Sequence, residues 1–469
     1  MSSLPSHRTR RAVVAAISLI AATCGALPVA QAAAPAAGVR QDFNGDGYED
    51  LAVAAPYATV GGKAKAGYVA VLFGSPSGIR TASRKVYSQA SAGIPGTPEA
   101  GDLFGSRLAA ADLDGDGYTD LLVETLAEQW QQDGVEHSGT RTVLWGGPAG
   151  LTSGKVLPAE GTGRLQAPLT VTGDFNGDGH QDLARDGRIL FGPLGRDGRP
   201  AATQENAAFT DGDLLIVAVA AGDTDGDGTD DLAIIAREHD WDDETNYGNY
   251  VYYAHGSREG LRPGAQLTAL ALRKQDAIAL GDLDGDGRAD LVLGEDGLRV
   301  VRAGRQGLPD TAPRIITQDT PGVPGAQEAG DRFGWTVSIG DTNGDGYGDI
   351  LAGIPEEDFG ALKNAGTFAV VPGGPGGATG AGTKVLSQNT AGVPGTAESG
   401  DRFGLNATFV DGNGDGRAEP VVASVAENSF AGGVWVFPGG ATAKGSFTFG
   451  AGTLGTVASG ARLGDQFPR

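Results

Sequence analysis

The sequence predicts an all-β fold: a seven-bladed β-propeller with four-stranded antiparallel blades and a Ca2+-binding loop in each blade. Three observations lead there. A nine-residue acidic loop recurs seven times along 469 residues. Successive copies start 70, 62, 49, 59, 59 and 70 residues apart, the period of a propeller or solenoid. Short apolar runs of strand character bracket every copy, and four strands per repeat define propeller blades.

The clearest loop is Asp112-Leu-Asp-Gly-Asp-Gly-Tyr-Thr-Asp120. Acidic side chains stand at positions 1, 3, 5 and 9. Hard Ca2+ takes six to eight oxygens at about 2.3–2.6 Å, and this spacing lets them converge. The carbonyl of position 7 adds one more oxygen. The seven predicted ligand sets follow in order. Loop 1 is Asp42, Asn44, Asp46, Tyr48 and Asp50. Loop 2 is Asp112, Asp114, Asp116, Tyr118 and Asp120. Loop 3 is Asp174, Asn176, Asp178, His180 and Asp182. Loop 4 is Asp223, Asp225, Asp227, Thr229 and Asp231. Loop 5 is Asp282, Asp284, Asp286, Arg288 and Asp290. Loop 6 is Asp341, Asn343, Asp345, Tyr347 and Asp349. Loop 7 is Asp411, Asn413, Asp415, Arg417 and Glu419. Up to seven Ca2+ are expected, with loop 7 the weakest because Glu419 is a methylene longer and Pro420 follows it.

An EF-hand shares the first half of this pattern but needs a bidentate Glu at position 12 and flanking helices. Position 12 here is Val53, Val123, Arg185, Ile234, Leu293, Ala352 or Val422. None offers a carboxylate, and the flanks read as strands. Acidic glycine turns that bind nothing are the plain alternative. Turn formation alone does not require four oxygens at fixed offsets.

The net charge of −23 is largely these loops, and bound divalent ions would offset most of it. Nothing basic is concentrated enough to replace phosphate counterions, so no nucleic-acid partner is expected. The single cysteine, Cys24, lies in the leader, which leaves no disulfide to hold the fold.

Residues 1–32 read as a cleaved secretory signal. Arg8, Arg10 and Arg11 precede the apolar stretch Ala12 to Ala26, and Ala30-Gln31-Ala32 is a small-x-small cleavage site. The alternative is a retained anchor. Residues 33–469 then form the propeller, with blades near 33–100, 101–166, 167–212, 213–272, 273–329, 330–399 and 400–469. A monomer in the extracellular space, off the membrane after cleavage, is expected.

In each blade an apolar strand enters the loop and a second follows it. A third strand closes on glycine, as in Tyr68–Gly74, Arg141–Gly146, Arg188–Gly192, Tyr250–Gly256, Leu298–Gly304, Thr367–Gly373 and Val434–Gly439. A fourth shows at Lys85–Gln89, Lys155–Leu157 and Lys384–Gln388. Asp186-Gly187 and Asp296-Gly297 read as tight hairpins between strands two and three. A second motif, Gly93–Gly105, returns at Gly322–Gly334 and Gly392–Gly404, and a worn copy ends at Phe467. An inner strand is due after Phe467. Ala34 to Gln41 supply one at the other end, so the two ends are expected to meet in blade 1.

These residues resemble FG-GAP repeat proteins, whose best-known members are the integrin α-subunit propellers. The Phe-Gly pairs are Phe104-Gly105, Phe333-Gly334 and Phe403-Gly404. Ala54-Ala55-Pro56 and Gly353-Ile354-Pro355 approximate the Gly-Ala-Pro element. Blades 3, 4 and 5 lack Phe-Gly. The resemblance implies a calcium-stabilised extracellular recognition domain and names no ligand.

No catalytic constellation stands out among the five histidines. His7 is in the leader, and His180 is at loop position 7, where the carbonyl is the expected ligand. His255 ends a third strand. Seven near-equal acidic loops argue for metal structure rather than one carboxylate active site. The expected function is a non-catalytic recognition or adhesion module for an extracellular protein or glycan. The alternative is a carbohydrate-active lyase or hydrolase on a propeller. Topology puts the strand 2–3 and 4–1 connections on the face opposite the acidic loops. Long loops there, Leu126 to Gly139 and Glu238 to Asn249, carry Trp130, His137, His239, Trp241 and Tyr247, the expected ligand-binding residues.

Overall fold

The computed structural model describes residues 41–132, 135–158, 170–185, 187–205, 214–240, 245–270, 272 and 277–468. The expected leader, and all of the expected first strand but Gln41, lie outside them. The described chain forms seven sheets, six of four strands and one of three, each in simple meander order. All pairings within them are antiparallel. The fold is the seven-bladed propeller.

Alternation explains how the blades stack. Side chains of a strand point to opposite faces in turn, and here both faces are apolar. Leu51, Val53 and Ala55 pack with Val421, Ala423 and Val434 of blade 7. Between them, Ala52 and Ala54 pack with Leu108, Ala110 and Val123 of blade 2. Five more such cores join the remaining neighbours in sequence. With blade 1 against both blade 2 and blade 7, the ring is closed.

Two backbone bonds fix the joint at Phe104-Gly105 and again at Phe403-Gly404, whereas at Phe333-Gly334 the Gly297 N–H donates to the Phe333 carbonyl. The N–H groups of Leu103 and Phe104 donate to the carbonyls of Lys65 and Ala66 in the preceding blade. Arg402 and Phe403 do the same to Asn364 and Ala365. The facing residues Gly67 and Gly366 have φ of 83° and 85°. A Cβ on Gly366 would lie 2.3 Å from the carbonyl oxygen of Phe403. No side chain fits there, which is why an Ala-Gly pair precedes the third strand of these blades.

The C-terminal copy departs from the expectation in register. Leu463-Gly464, not Phe467, takes the Phe-Gly place. Leu463 N–H donates to the Ala431 carbonyl, and Arg462 donates to Phe430. Gly464 has φ 92°, against 87–89° at Gly105, Gly334 and Gly404. Leucine fills the buried slot with 0 % exposure. Gly464 N–H then bonds the Ala54 carbonyl, as Gly334 bonds Gly353, and Ala54 N–H bonds the Gln466 carbonyl. At the other end of that strand Asp50 N–H bonds the Gln41 carbonyl. The C-terminal segment therefore begins the inner edge of blade 1 and the segment entering loop 1 ends it, as the sequence implied.

The long connections of blades 2 and 4 are not loops. They are β-ribbons that extend strands two and three. Asp120–Gln132 pairs with Val135–Trp145, and Trp130 stands directly opposite His137. Asp231–Asp240 pairs with Thr245–Ala254, and His239 stands opposite Asn246. Both ribbons carry a bulge, between Thr125 and Gln129 and between Glu238 and His239, which bends a strand and sharpens its twist. Arg185 pairs with Arg188 across the expected Asp186-Gly187 hairpin, of which Asp186 lies outside the described residues. Asp296 and Gly297 lie in the turn between Gly294 and Leu298.

Candidate functional site

All seven acidic loops lie at the strand 1–2 corners and share one internal geometry. The position 1 carboxylate caps the loop from inside. In the first six, its Oδ1 accepts the position 4 glycine N–H and its Oδ2 the position 6 N–H. Loop 7 keeps the position 6 bond, from Gly416, and its Asp411 Oδ1 accepts the Asp415 N–H in place of the position 4 glycine. Asp42 and Asp411 thus keep the same role at both ends of the series.

The position 9 carboxylate opens strand two and is buried. One oxygen accepts the position 2 N–H in every loop. The other accepts an N–H at the end of strand three, at 2.7–3.0 Å, from Gly74, Gly146, Gly192, Gly256, Ala303 and Gly373. This is the physical meaning of the glycine that closes strand three. A Cβ on Gly74 would lie 2.4 Å from the Glu49 carbonyl oxygen. The closing residue in blade 5 is Ala303, not the Gly304 expected from sequence. In blade 7 Phe437 N–H bonds the Pro420 carbonyl within the ladder, and the Asn413 amide takes the other oxygen of Glu419.

Position 7 does more than supply a carbonyl. Its side chain lies against the position 4 glycine of the preceding loop. Tyr118 covers Gly45, His180 covers Gly115, Thr229 covers Gly177 and Arg288 covers Gly226. Tyr347 covers Gly285, Arg417 covers Gly344, and Tyr48 covers Gly414 to complete the circle. A backbone bond runs alongside. The position 8 N–H of Thr119, Asp230, Ala289, Gly348, Ala418 and Glu49 donates to the position 1 carbonyl of the loop before it. The loops form one continuous ring.

Several loops bring carboxylates together. Ligand-type oxygens lie within 4.8 Å of one another in Asp112, Asp114 and Asp120, in Asp223, Asp225 and Asp231, and in Asp282, Asp284 and Asp286. Asp411, Asp415 and Glu419 form a fourth such group. Burial pushes the carboxyls of Asp50, Asp120 and Asp182 up to about 7. It pushes Asp290 up to about 6 and Glu419 up to about 8. Neighbouring loop carboxylates add to each rise, while backbone donors oppose it. An all-oxygen set of this charge fits a hard divalent cation and fits soft metals poorly.

A pH dependence follows. A carboxyl whose folded pKa is raised binds more protons folded than unfolded between about pH 4 and pH 7, so folded stability falls as pH rises through that window. The metal-free protein is expected to melt several degrees higher near pH 5 than near pH 8. Scanning calorimetry in chelator at the two pH values checks this; a higher melt at pH 8 counts against it.

On the opposite face, the structure places Trp130, His137, His239 and Tyr247 on the two ribbons. Trp241 lies outside the described residues. His137 is half-buried. His255, which ends a third strand, joins loop 4: its Nδ1 lies 3.1 Å from the Tyr253 hydroxyl and 3.8 Å from Asp225 and Asp231. Tyr253 and Thr224 hydroxyls both reach Asp231. Sequence reasoning missed these two, and it missed Arg196 and Arg302, which pair with Asp114 and Asp284. The available signal was the fourth carboxylate in those loops, which calls for a counter-charge.

Fold and loops together define a β-propeller with a ring of acidic, metal-type loops on one face. The FG-GAP repeat model matches residues 33–72, 104–128 and 333–383. Integrin alpha pat-2 of Caenorhabditis briggsae is 29% identical over 231 residues, covering 45% of this chain and 18% of that protein. Integrin alpha-PS2 of Drosophila melanogaster is 31% identical over 169 residues, 34% of this chain and 10% of that protein. Integrin alpha-IIb of Homo sapiens is 40% identical over 83 residues, 18% and 7%. The chain thus spans less than a fifth of the length of these relatives. The chain carries FG-GAP repeats on an integrin α-like β-propeller. Among solved structures, the exotype rhamnogalacturonan lyase YesX aligns with 83% of this chain and 72% of its own at 14% identity and a TM-score of 0.36. Among the described residues, no helix is long and apolar enough to cross a membrane.

Proposed function

We propose that this chain is a secreted, calcium-stabilised recognition module that binds an extracellular protein or glycan on the face opposite its acidic loops. The observation that carries the reading is the pair of β-ribbons on blades 2 and 4. They project aromatic-bearing sequence from a rigid ring, while the other face is taken up by seven near-identical loops that offer little discrimination. Ca2+ at the loops is structural in this reading, held by positions 1, 3, 5 and 9 and the position 7 carbonyl.

Aromatic residues give large contact area at low entropic cost. Trp130, Trp241 and Tyr247 suit stacking on sugar rings, with His137 and His239 as polar neighbours. The acidic run around Trp241 favours a cationic or metal-bridged partner. Blades 2 and 4 flank blade 3, the shortest repeat.

A glycan array and an extracellular-protein panel identify the ligand class. Trp130→Ala and Trp241→Ala are expected to weaken that binding by about tenfold or more and to leave the melting temperature nearly unchanged. Asp227→Ala in loop 4 is expected to do the reverse. Normal binding by both tryptophan variants would place the site elsewhere. Turnover of a polysaccharide panel by the wild-type chain would favour the lyase or hydrolase reading instead.

A further inference from the structure

The seven loops divide into two kinds. Position 3 is Asn in loops 1, 3, 6 and 7 and Asp in loops 2, 4 and 5. In each of the three Asp loops, a basic side chain from outside the loop stands at that Asp. Arg196 places Nε 2.6 Å from Asp114 Oδ2 and Nη2 2.6 Å from Asp116 Oδ2. Arg302 pairs with Asp284, whose side chain is 1% exposed. His255 Nδ1 lies 3.8 Å from Asp225. Among the described residues, the carboxylates of the four Asn loops enter no ion pair. In three of them the amide meets a loop carboxylate: Asn44 donates to Asp46 at 2.9 Å, Asn176 to Asp178 at 3.0 Å and Asn413 to Glu419 at 2.6 Å.

The arginines are built into place. The Arg196 guanidinium lies 5.3 Å from the Trp145 ring centroid, and Trp145 is 2% exposed. Arg196 itself comes from blade 3, beyond the end of its third strand, and reaches back to loop 2. The Arg302 stem passes Gly377 of the next blade, where a Cβ would lie 3.4 Å from its Cδ. Both reach carboxylates that an ion would also need. An Asn can share a proton with a neighbouring carboxylate, whereas an Asp adds repulsion that only a cation relieves.

We propose that Arg196 and Arg302 are internal counter-cations that set metal affinity, so that loops 2 and 5 form an exchangeable class beside a tightly held Asn class. The ion entering loop 2 or 5 displaces a guanidinium ion pair; the ion entering loop 1, 3 or 6 displaces none. This revises the ranking read from sequence, in which loop 7 alone stood last. It rests on the calcium reading of the loops.

The test is Arg196→Met, with Arg302→Met as an independent second variant, in the full chain. Calcium is titrated by calorimetry, and terbium uptake is followed by luminescence sensitised through Trp145 and Tyr118. The wild type is expected to titrate in two classes. Arg196→Met is expected to move one site from the weak class toward the tight one, by on the order of tenfold. It is also expected to lower the melting temperature in chelator while leaving or raising it in calcium. Equal losses in both conditions with an unchanged titration would make the arginine a packing residue and overturn the proposal. A single tight class in wild type and variant alike would overturn it too, while leaving the calcium reading intact. Uptake of no metal by the wild type would sink the calcium reading itself.

Discussion

Chelation should lower the melting temperature of this propeller by about 10–20 °C. The figure comes from mass action. An ion that binds only the folded state adds about 2.7 kcal/mol per site at a hundredfold excess over Kd. A propeller of this length unfolds with an entropy that turns each kcal/mol into roughly 1 °C. Four to seven filled sites therefore reach that range. The structure supplies the reason the empty state is weak. Each loop holds three or four carboxylates, with position 9 buried in every one. Like charges at such distances repel, and the ring of position 7 side chains ties one loop to the next. The measurement is scanning calorimetry with calcium and with chelator near pH 8, where the buried carboxylates ionise. An unchanged melt would count against a structural role for the metal.

Gly366→Val should cost about 3 kcal/mol or more. Two penalties add. Gly366 sits at φ 85°, which a β-branched residue resists. Its Cβ would also stand 2.3 Å from the carbonyl oxygen and 2.5 Å from the nitrogen of Phe403. Backbone on both sides cannot swing away as a side-chain tip would. The contact is one joint between blades 6 and 7, so its loss loosens the ring rather than one strand. Gly360→Val is the control, because Gly360 has φ 62° but nothing within 4 Å of its Cβ. It pays the conformational penalty alone. Urea unfolding of the two variants separates the terms. Equal losses would mean that the joint tolerates the side chain.

The sequence made the ring legible because each blade repeats its oxygen spacing and its third strand. Those elements are constrained locally, by loop geometry and by alternation across two apolar faces. The ribbons were not legible as strands. Glu128-Gln-Trp-Gln-Gln132 extends beyond the packed blade, so no apolar face is required and no alternation appears. Outer strands such as Ala202–Glu205 and Ala265–Gln266 are short and exposed, and their composition resembles that of loops. Leu463 took the Phe slot because burial and the left-handed residue before it, not the aromatic ring, define that corner. Arg196 lies 82 residues from Asp114, and only the closed ring brings them together. His255 was closer but carried no signal of its own.

The most direct test of the account is native mass spectrometry of the full chain at saturating calcium, with metal content measured independently on the same sample. Seven bound ions are predicted. Two or fewer would contradict the reading of the acidic loops as metal sites.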